Sequence, residues 1–252
     1  MQLILNRLVF CFFISVLLLT WTDEPCHGKR GKHKSTKAAI QEYGKAARDK
    51  LKPFFDIAKI KYPPEKLTFI CIKDEKLLHI FAEDQKGKNK LVISYPIVDA
   101  SGTSGPKLQE GDKQVPEGFY RLTGFKPDSI AHLALMINYP NEEDKRNARV
   151  DKRGNLGCDI EIHGSYWSTG CLAMGDPAIE EIFVLAYDTG LKNIKLIFAP
   201  SNLNIKEPEL KMSEQPKWLP GLYDRLKSEL ADYPIVPLKT KDHNWDTNAI
   251  LY

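Results

Sequence analysis

The sequence predicts a mainly β domain with helices, an α+β sandwich or barrel with one helix in its middle and helical extensions at both ends of the chain. Three observations predict it. Short apolar or alternating runs at 67–72, 76–82, 91–97, 118–122, 132–137 and 157–163 are split by Gly, Pro, Asn and Asp, as strands are. A single run with helical spacing follows them at 176–190, and another precedes them before Pro53. The 252 residues allow one moderate domain plus extensions. The boundaries read as 1–22 for a signal peptide or anchor, 23–65 for a basic linker and helix, 66–200 for the domain, and 201–252 for a C-terminal extension.

From the N-terminus, Arg7 precedes an apolar stretch over 8–20 that has the length of a secretory core segment and is short for a membrane span. Export is the expectation, to a periplasmic or other cell-envelope location. Thr20-Trp21-Thr22 is a poor small-x-small cleavage site, so an uncleaved anchor stays open as the one route to membrane contact. Cys26 follows Asp23-Glu24-Pro25, which is charged and stiff and does not suit lipidation. The run Lys29-Arg30-Gly31-Lys32-His33-Lys34 reads first as a solvated linker, with contact to an anionic membrane or wall polymer as the alternative.

A helix is expected from Thr36, with Ile40, Tyr43, Ala47 and Leu51 on one face, until Pro53 kinks or ends it. After Pro63-Pro64 the rhythm becomes that of strands. Asp176 is placed to cap the mid-domain helix, Pro177 to occupy its first position and Gly190 to close it, with Ile179, Ile182, Phe183 and Ala186 facing the core. A last strand covers 193–198 and a short helix 220–231, while the tail from Pro234 has no clear period.

Composition narrows the function classes. A net charge of +3 does not call for nucleic acid. Cysteines at 11, 26, 71, 158 and 171 are too few and too scattered for a disulfide scaffold, and 42% hydrophobic residues supply a core without one. Cys71 alternates within an apolar run and reads as a small buried hydrophobe, with a Cys71 to Cys158 bridge left open. No phosphate-cradling glycine loop and no convincing metal set are present, so no cofactor is expected.

The chemistry-bearing stretch is 160–174. Ile160 and Ile162 alternate with Glu161 and His163, so a strand buries the isoleucines and turns His163 to the other face. Gly164 breaks that strand, the chain turns back, and Gly170 permits close backbone approach immediately before the Cys171 sulfur. An imidazole that takes the thiol proton creates a nucleophile and can return the proton to a departing amine. The backbone N–H of Cys171, with that of Gly170, can face a developing oxyanion. His and Cys also suit zinc, with Cys158 as a third ligand, although alternation points Cys158 away from His163. Trp167 lies between base and nucleophile, either roofing the pocket or packing beneath the turn. His132 reads as a packed or solvated residue, and Lys107 and Asp112 as a charged loop.

The segment resembles the signature of the L,D-transpeptidase catalytic domain, the YkuD family, in which a His-Gly pair is followed by a Ser-x-Gly-Cys turn. Its short spacing and its ending Gly170-Cys171-Leu172-Ala173-Met174 resemble the YafK-like branch. Upstream, Gly105-Pro106-Lys107, Glu110-Gly111-Asp112 and Val115-Pro116-Glu117-Gly118-Phe119-Tyr120 resemble a run of that family, as does Asn138-Tyr139-Pro140-Asn141 with Asp144. The resemblance implies the YkuD fold over about 66–200. It implies Cys171 as nucleophile, His163 as general base and acid, and Gly170 as the oxyanion-hole turn. Ser168, Trp167, Tyr139 and Gly164 become candidate substrate-binding residues. In the family a backbone carbonyl holds the base, and the nearest in sequence belongs to Gly164. Ala173 departs from the arginine that the broader family places two residues after the cysteine.

What the resemblance implies for partners is peptidoglycan stem peptides, attacked at a diaminopimelate amide to give a thioester. An amine acceptor then gives a cross-link, and water gives hydrolysis, as in YafK-like members that release wall-anchored lipoprotein. A non-catalytic wall-binding or regulatory module is the reading from another class. Acceptor, stem length and oligomeric state are not written in the residues.

Overall fold

A computed structural model describes residues 35–235. The apolar stretch at 8–20, the basic run at 29–34 and the tail from 236 lie outside the described residues, and with them the expected signal peptide or anchor. Ser35 caps the first helix, α1 (Thr36–Ala58), its hydroxyl accepting from the Ala38 N–H at 3.2 Å. The helix does not end at Pro53. Phe54 and Phe55, the next two residues, are buried in the core, and that packing outweighs the one backbone bond a proline removes.

The strands follow as β1 (Leu67–Ile72), β2 (Leu77–Glu83), β3 (Asn89–Pro96), β4 (Gly118–Lys126) and β5 (Ala134–Ile137). Helix α2 (Glu142–Val150) separates these from β6 (Glu161–His163) and the two-residue β7 (Leu172–Ala173). Then come α3 (Asp176–Thr189), β8 (Ile194–Ala199) and α4 (Leu219–Leu230). The sequence reading contains no counterpart of α2. That helix is built almost wholly of charged and polar residues and buries only Ala148, so it has no apolar stripe to read. It forms because Asn141 and Asp144 make a reciprocal capping box at its start.

All eight strands join one sheet in the order β3-β2-β1-β8-β4-β5-β6-β7. Strand β4 pairs with β8 through Gly118–Arg121 and with β5 from Leu122 onward, with a bulge between Leu122 and Gly124. The sheet bends there, because a bulge adds a residue to one strand only and increases its local twist. It curls far enough for its two ends to meet. Asp99, just beyond β3, bridges Ala173 of β7, with the Ala173 N–H donating to the Asp99 carbonyl at 2.9 Å. The expected sandwich or barrel is therefore a curled sheet closed by one bridge.

Strand β1 is buried on both faces. Leu67, Phe69 and Cys71 join the core with α1 and α3, while Ile70 and Ile72 join a second cluster roofed by Leu219, Leu222 and Leu226 of α4. The C-terminal extension thus shields the sheet's second face from water. Helix α1 is tied to α3 by paired hydrogen bonds from Arg48 to Asp188, both at 2.7 Å, with the Tyr62 hydroxyl on the same carboxylate. Asp176 does not cap α3. Gly175 holds the cap position, and the Asp176 side chain instead accepts from the Ser165 N–H at 2.7 Å.

Candidate active site

The site lies where β6 and β7 run side by side. They are parallel, with Ile162 opposite Leu172 and His163 opposite Ala173. Paired residues share a face, so Ile162 and Leu172 point into the core, and His163 and Ala173 point to the other side. Alternation carries Cys171 to the face of Ala173, diagonal to His163.

His163 is buried, and its Nδ1 lies 2.6 Å from the Gly164 carbonyl oxygen. A carbonyl can only accept, so Nδ1 carries the hydrogen, and in the neutral ring Nε2 is left with its lone pair. This is the backbone partner the sequence reading named. Gly164 has no room for a side chain: a Cβ would stand 2.7 Å from both the Ala131 carbonyl oxygen and Asp176 Oδ1.

Cys171 is half-buried, and its thiol donates to the Asp159 carbonyl at 3.5 Å. No hydrogen bond joins it to His163 among the described residues. Burial pushes the thiol up to about 11, and the charges of Glu161 and Asp159 act in the same direction. The Glu161 backbone N–H and the Lys126 ammonium oppose the shift. A thiol so placed is protonated at neutral pH and needs a base to react.

The turn joining the two strands is held from several sides. Ser168 Oγ donates to the Cys171 carbonyl at 2.7 Å, closing the turn, so this hydroxyl is engaged by the backbone. The Ser168 N–H donates to Asp99 Oδ2 at 2.7 Å. Gly170 has φ +119, a region that L side chains rarely adopt, and a Cβ there would lie 3.3 Å from the Gln114 carbonyl oxygen. Trp167 is 55% exposed and its ring centre lies 6.5 Å from that of His163, so it roofs the imidazole and does not pack beneath the turn.

Other candidates are placed elsewhere. Tyr139 is buried against Tyr120, and its hydroxyl donates to the Leu156 carbonyl at 3.1 Å, which makes it a packing residue. Lys107 and Asp112 bond to each other at 2.7 Å, and Asp112 also accepts from three backbone N–H groups of the same loop. That loop ends at Gln114, against Gly170. Glu117 is buried with Lys73 at 2.8 Å and receives the Tyr223 hydroxyl at 2.7 Å. His132 pairs with Glu180 at 2.9 Å.

The Cys71 to Cys158 bridge is not formed. Cys71 is a free buried thiol, whereas Cys158 is disulfide-bonded. Its sulfur is therefore not a free third ligand for a metal beside His163 and Cys171. The sequence reading missed Asp99, Asp159 and Gln114, which act on the site through chain reversals that no local pattern announces. Position 173 is fully buried, so the site has no space there for a long cationic side chain.

Comparison with known proteins follows the same stretch of chain. Residues 68–192 match the L,D-transpeptidase catalytic domain family, YkuD. YafK of Escherichia coli (strain K12) is 37% identical over 113 residues, which is 44% of this chain and 43% of that protein, and YafK of Escherichia coli O157:H7 matches equally. The matched stretch is thus less than half the length of these relatives. Among solved structures, the helical cell shape determining protein Pgp2 (K307A mutant) of Campylobacter jejuni overlaps 78% of this chain and 60% of its own, with TM-score 0.46 and 20% identity. Bd1075 of Bdellovibrio bacteriovorus overlaps 68% of this chain and 56% of its own, with TM-score 0.41 and 19% identity.

Proposed function

Because residues 68–192 belong to the L,D-transpeptidase catalytic domain (YkuD) family, on its YafK-like side, we propose that the chain is an exported cysteine acyl-transfer enzyme of the bacterial cell envelope. Its substrates are peptidoglycan stem peptides, and the catalytic unit spans about 66–200. The observation that carries this reading is the tautomer of His163. With Nδ1–H fixed on the Gly164 carbonyl, Nε2 is the ring's proton acceptor, on the face that also bears Cys171.

In the first step the thiol leaves the Asp159 carbonyl and gives its proton to His163 Nε2, and Sγ forms a bond to the amide carbon. The carbonyl electrons move onto oxygen, which the backbone N–H groups at Gly170 and Cys171 receive. Collapse breaks the C–N bond, the imidazolium returns its proton to the departing amine, and a thioester remains on Cys171. In the second step an amine or water attacks the thioester, His163 takes its proton, and the sulfur leaves and is reprotonated.

Hydrolysis is the other outcome of the same thioester, with water in place of an amine as acceptor, and Ala173 does not choose between the two. It covers release of stem-peptide amides or of a wall-anchored lipoprotein. Incubation with defined muropeptides, some carrying a lipoprotein-derived peptide, followed by product mass, tests both. New cross-linked species support transfer, shortened species support hydrolysis, and an unchanged substrate pool overturns the enzyme reading in favour of a wall-binding module.

A further inference from the structure

Cross-strand pairing places a lysine on the face that carries the thiol. Lys126 of β4 is opposite Ala134 of β5, Ala134 is opposite His163 of β6, and His163 is opposite Ala173 of β7. These four residues stand in one row. The adjacent row on the same face runs Gly124, Met136, Glu161 and then Cys171. The opposite face of the same strands carries Phe125, Leu135, Ile162 and Leu172, which belong to or pack on the core.

Lys126 reaches over the small Ala134 to place Nζ 2.7 Å from Glu161 Oε1, one strand from Cys171. An ammonium has three donors, and Glu161 takes one of them. The lysine side chain is 22% exposed, against 10% for Glu161, so the pair stands at the surface with the carboxylate the more covered of the two. Glu161 thereby fixes the ammonium in place, and its other donors remain for a ligand on that face.

Resting on the function proposed above, we infer that Lys126, held by Glu161, is a specificity-determining residue that binds a free carboxylate of the stem peptide next to the scissile amide. The fully buried Ala173 supplies no such group from β7. Two carboxylates have this chemistry: the side-chain carboxylate of the diaminopimelate residue and the C-terminal carboxylate of the peptide.

The test compares kcat and KM of the wild-type chain on three synthetic stem peptides: unmodified, amidated at the diaminopimelate side-chain carboxyl, and amidated at the C-terminus. Wild type should lose about tenfold or more in kcat/KM on one of the two amidated peptides, which identifies the carboxylate, and most of the loss should lie in KM. Lys126→Met combined with Glu161→Gln removes both charges and leaves no orphaned carboxylate. It should fall to a similar level on the unmodified peptide and no longer distinguish the amidated one, while Lys126→Arg should keep the discrimination. Lys126→Gln, which can still hydrogen-bond Glu161, provides a second variant should the double variant fail to show a wild-type circular dichroism spectrum. Equal rates of wild type on all three peptides, or discrimination that persists in a folded variant lacking the ammonium, overturn the assignment. Absence of turnover by wild type on every peptide is a different result, and overturns the proposed function together with it.

Discussion

The thiol of Cys171 points at the carbonyl oxygen of Asp159, 3.5 Å away, and not at an imidazole nitrogen. In the free protein the sulfur is therefore stored as a hydrogen-bond donor, and burial keeps its proton on, with the group pushed up to about 11. Its alkylation by iodoacetamide at pH 7 should be on the order of ten- to a hundredfold slower than that of an exposed cysteine, because scarcity of thiolate outweighs its higher nucleophilicity. The rate should climb with pH to about 11, as more of the group ionises. Peptide mass after partial labelling checks this, and a plateau near pH 8 would contradict it.

On the mechanism proposed above, removal of either Cys171 or His163 should abolish turnover of muropeptides. Cys171→Ala leaves no nucleophile, and His163→Gln leaves a thiol with no acceptor for its proton, at a cost of roughly 10²–10⁴ in kcat. Both variants should retain the wild-type melting temperature within a few degrees, so that lost activity is not lost fold. Comparable turnover in His163→Gln would assign the base elsewhere.

Ser168→Ala removes the hydroxyl that closes the turn on the Cys171 carbonyl. The expected loss of stability is about 1 kcal/mol, with a larger effect on kcat than on KM because the turn sets where the sulfur sits. Gly164→Ala should do more damage, because its new methyl would meet the Ala131 carbonyl and Asp176 at 2.7 Å. Chemical denaturation should show it less stable by about 1–3 kcal/mol.

Acid stability should depend on His79. Its Nδ1 bonds Ser94 Oγ at 2.7 Å, Nε2 is buried without a partner among the described residues, and burial lowers the group to about 4 from an ordinary 6.5. A folded-state value below the unfolded one means that the unfolded chain binds the proton more readily. Stability is thus fully present above pH 6.5 and is lost as pH falls toward 4, by about 3 kcal/mol from this group. His79→Asn should flatten the dependence of unfolding free energy on pH across that window. An unchanged slope would assign the acid sensitivity to other groups.

Thiol counting separates the cysteines. Blocking under denaturing, non-reducing conditions should label Cys71 and Cys171, and Cys158 only after reduction, as read by peptide mass. A Cys158 peptide labelled without reductant would contradict the disulfide.

Much of this molecule is legible in its residues, for identifiable reasons. The β1 run is continuous and apolar because both faces are covered, and the alternation around His163 is visible because only one face there is core. The Gly-Cys turn is legible because Gly170 has a conformation for which few residues substitute. What escapes is of two kinds. Helix α2 rests on its cap with almost no buried stripe, and α1 passes through Pro53 because two phenylalanines anchor its far end. The second kind is support delivered by main chain. Asp159 and Gln114 act through carbonyl oxygens, which every residue possesses, so their identity carries no signal, and Asp99 comes to the turn from across the sheet closure.

Strand β8 is the last strand among the described residues, yet it lies between β1 and β4. A polypeptide made from its N-terminus can form the β1–β2–β3 meander early, but the gap beside β1 stays open until Ala199 has been synthesised. Completion of the architecture thereby waits on its last-made strand, and a chain halted before Ile194 would keep an open edge beside β1, ready to pair with another molecule.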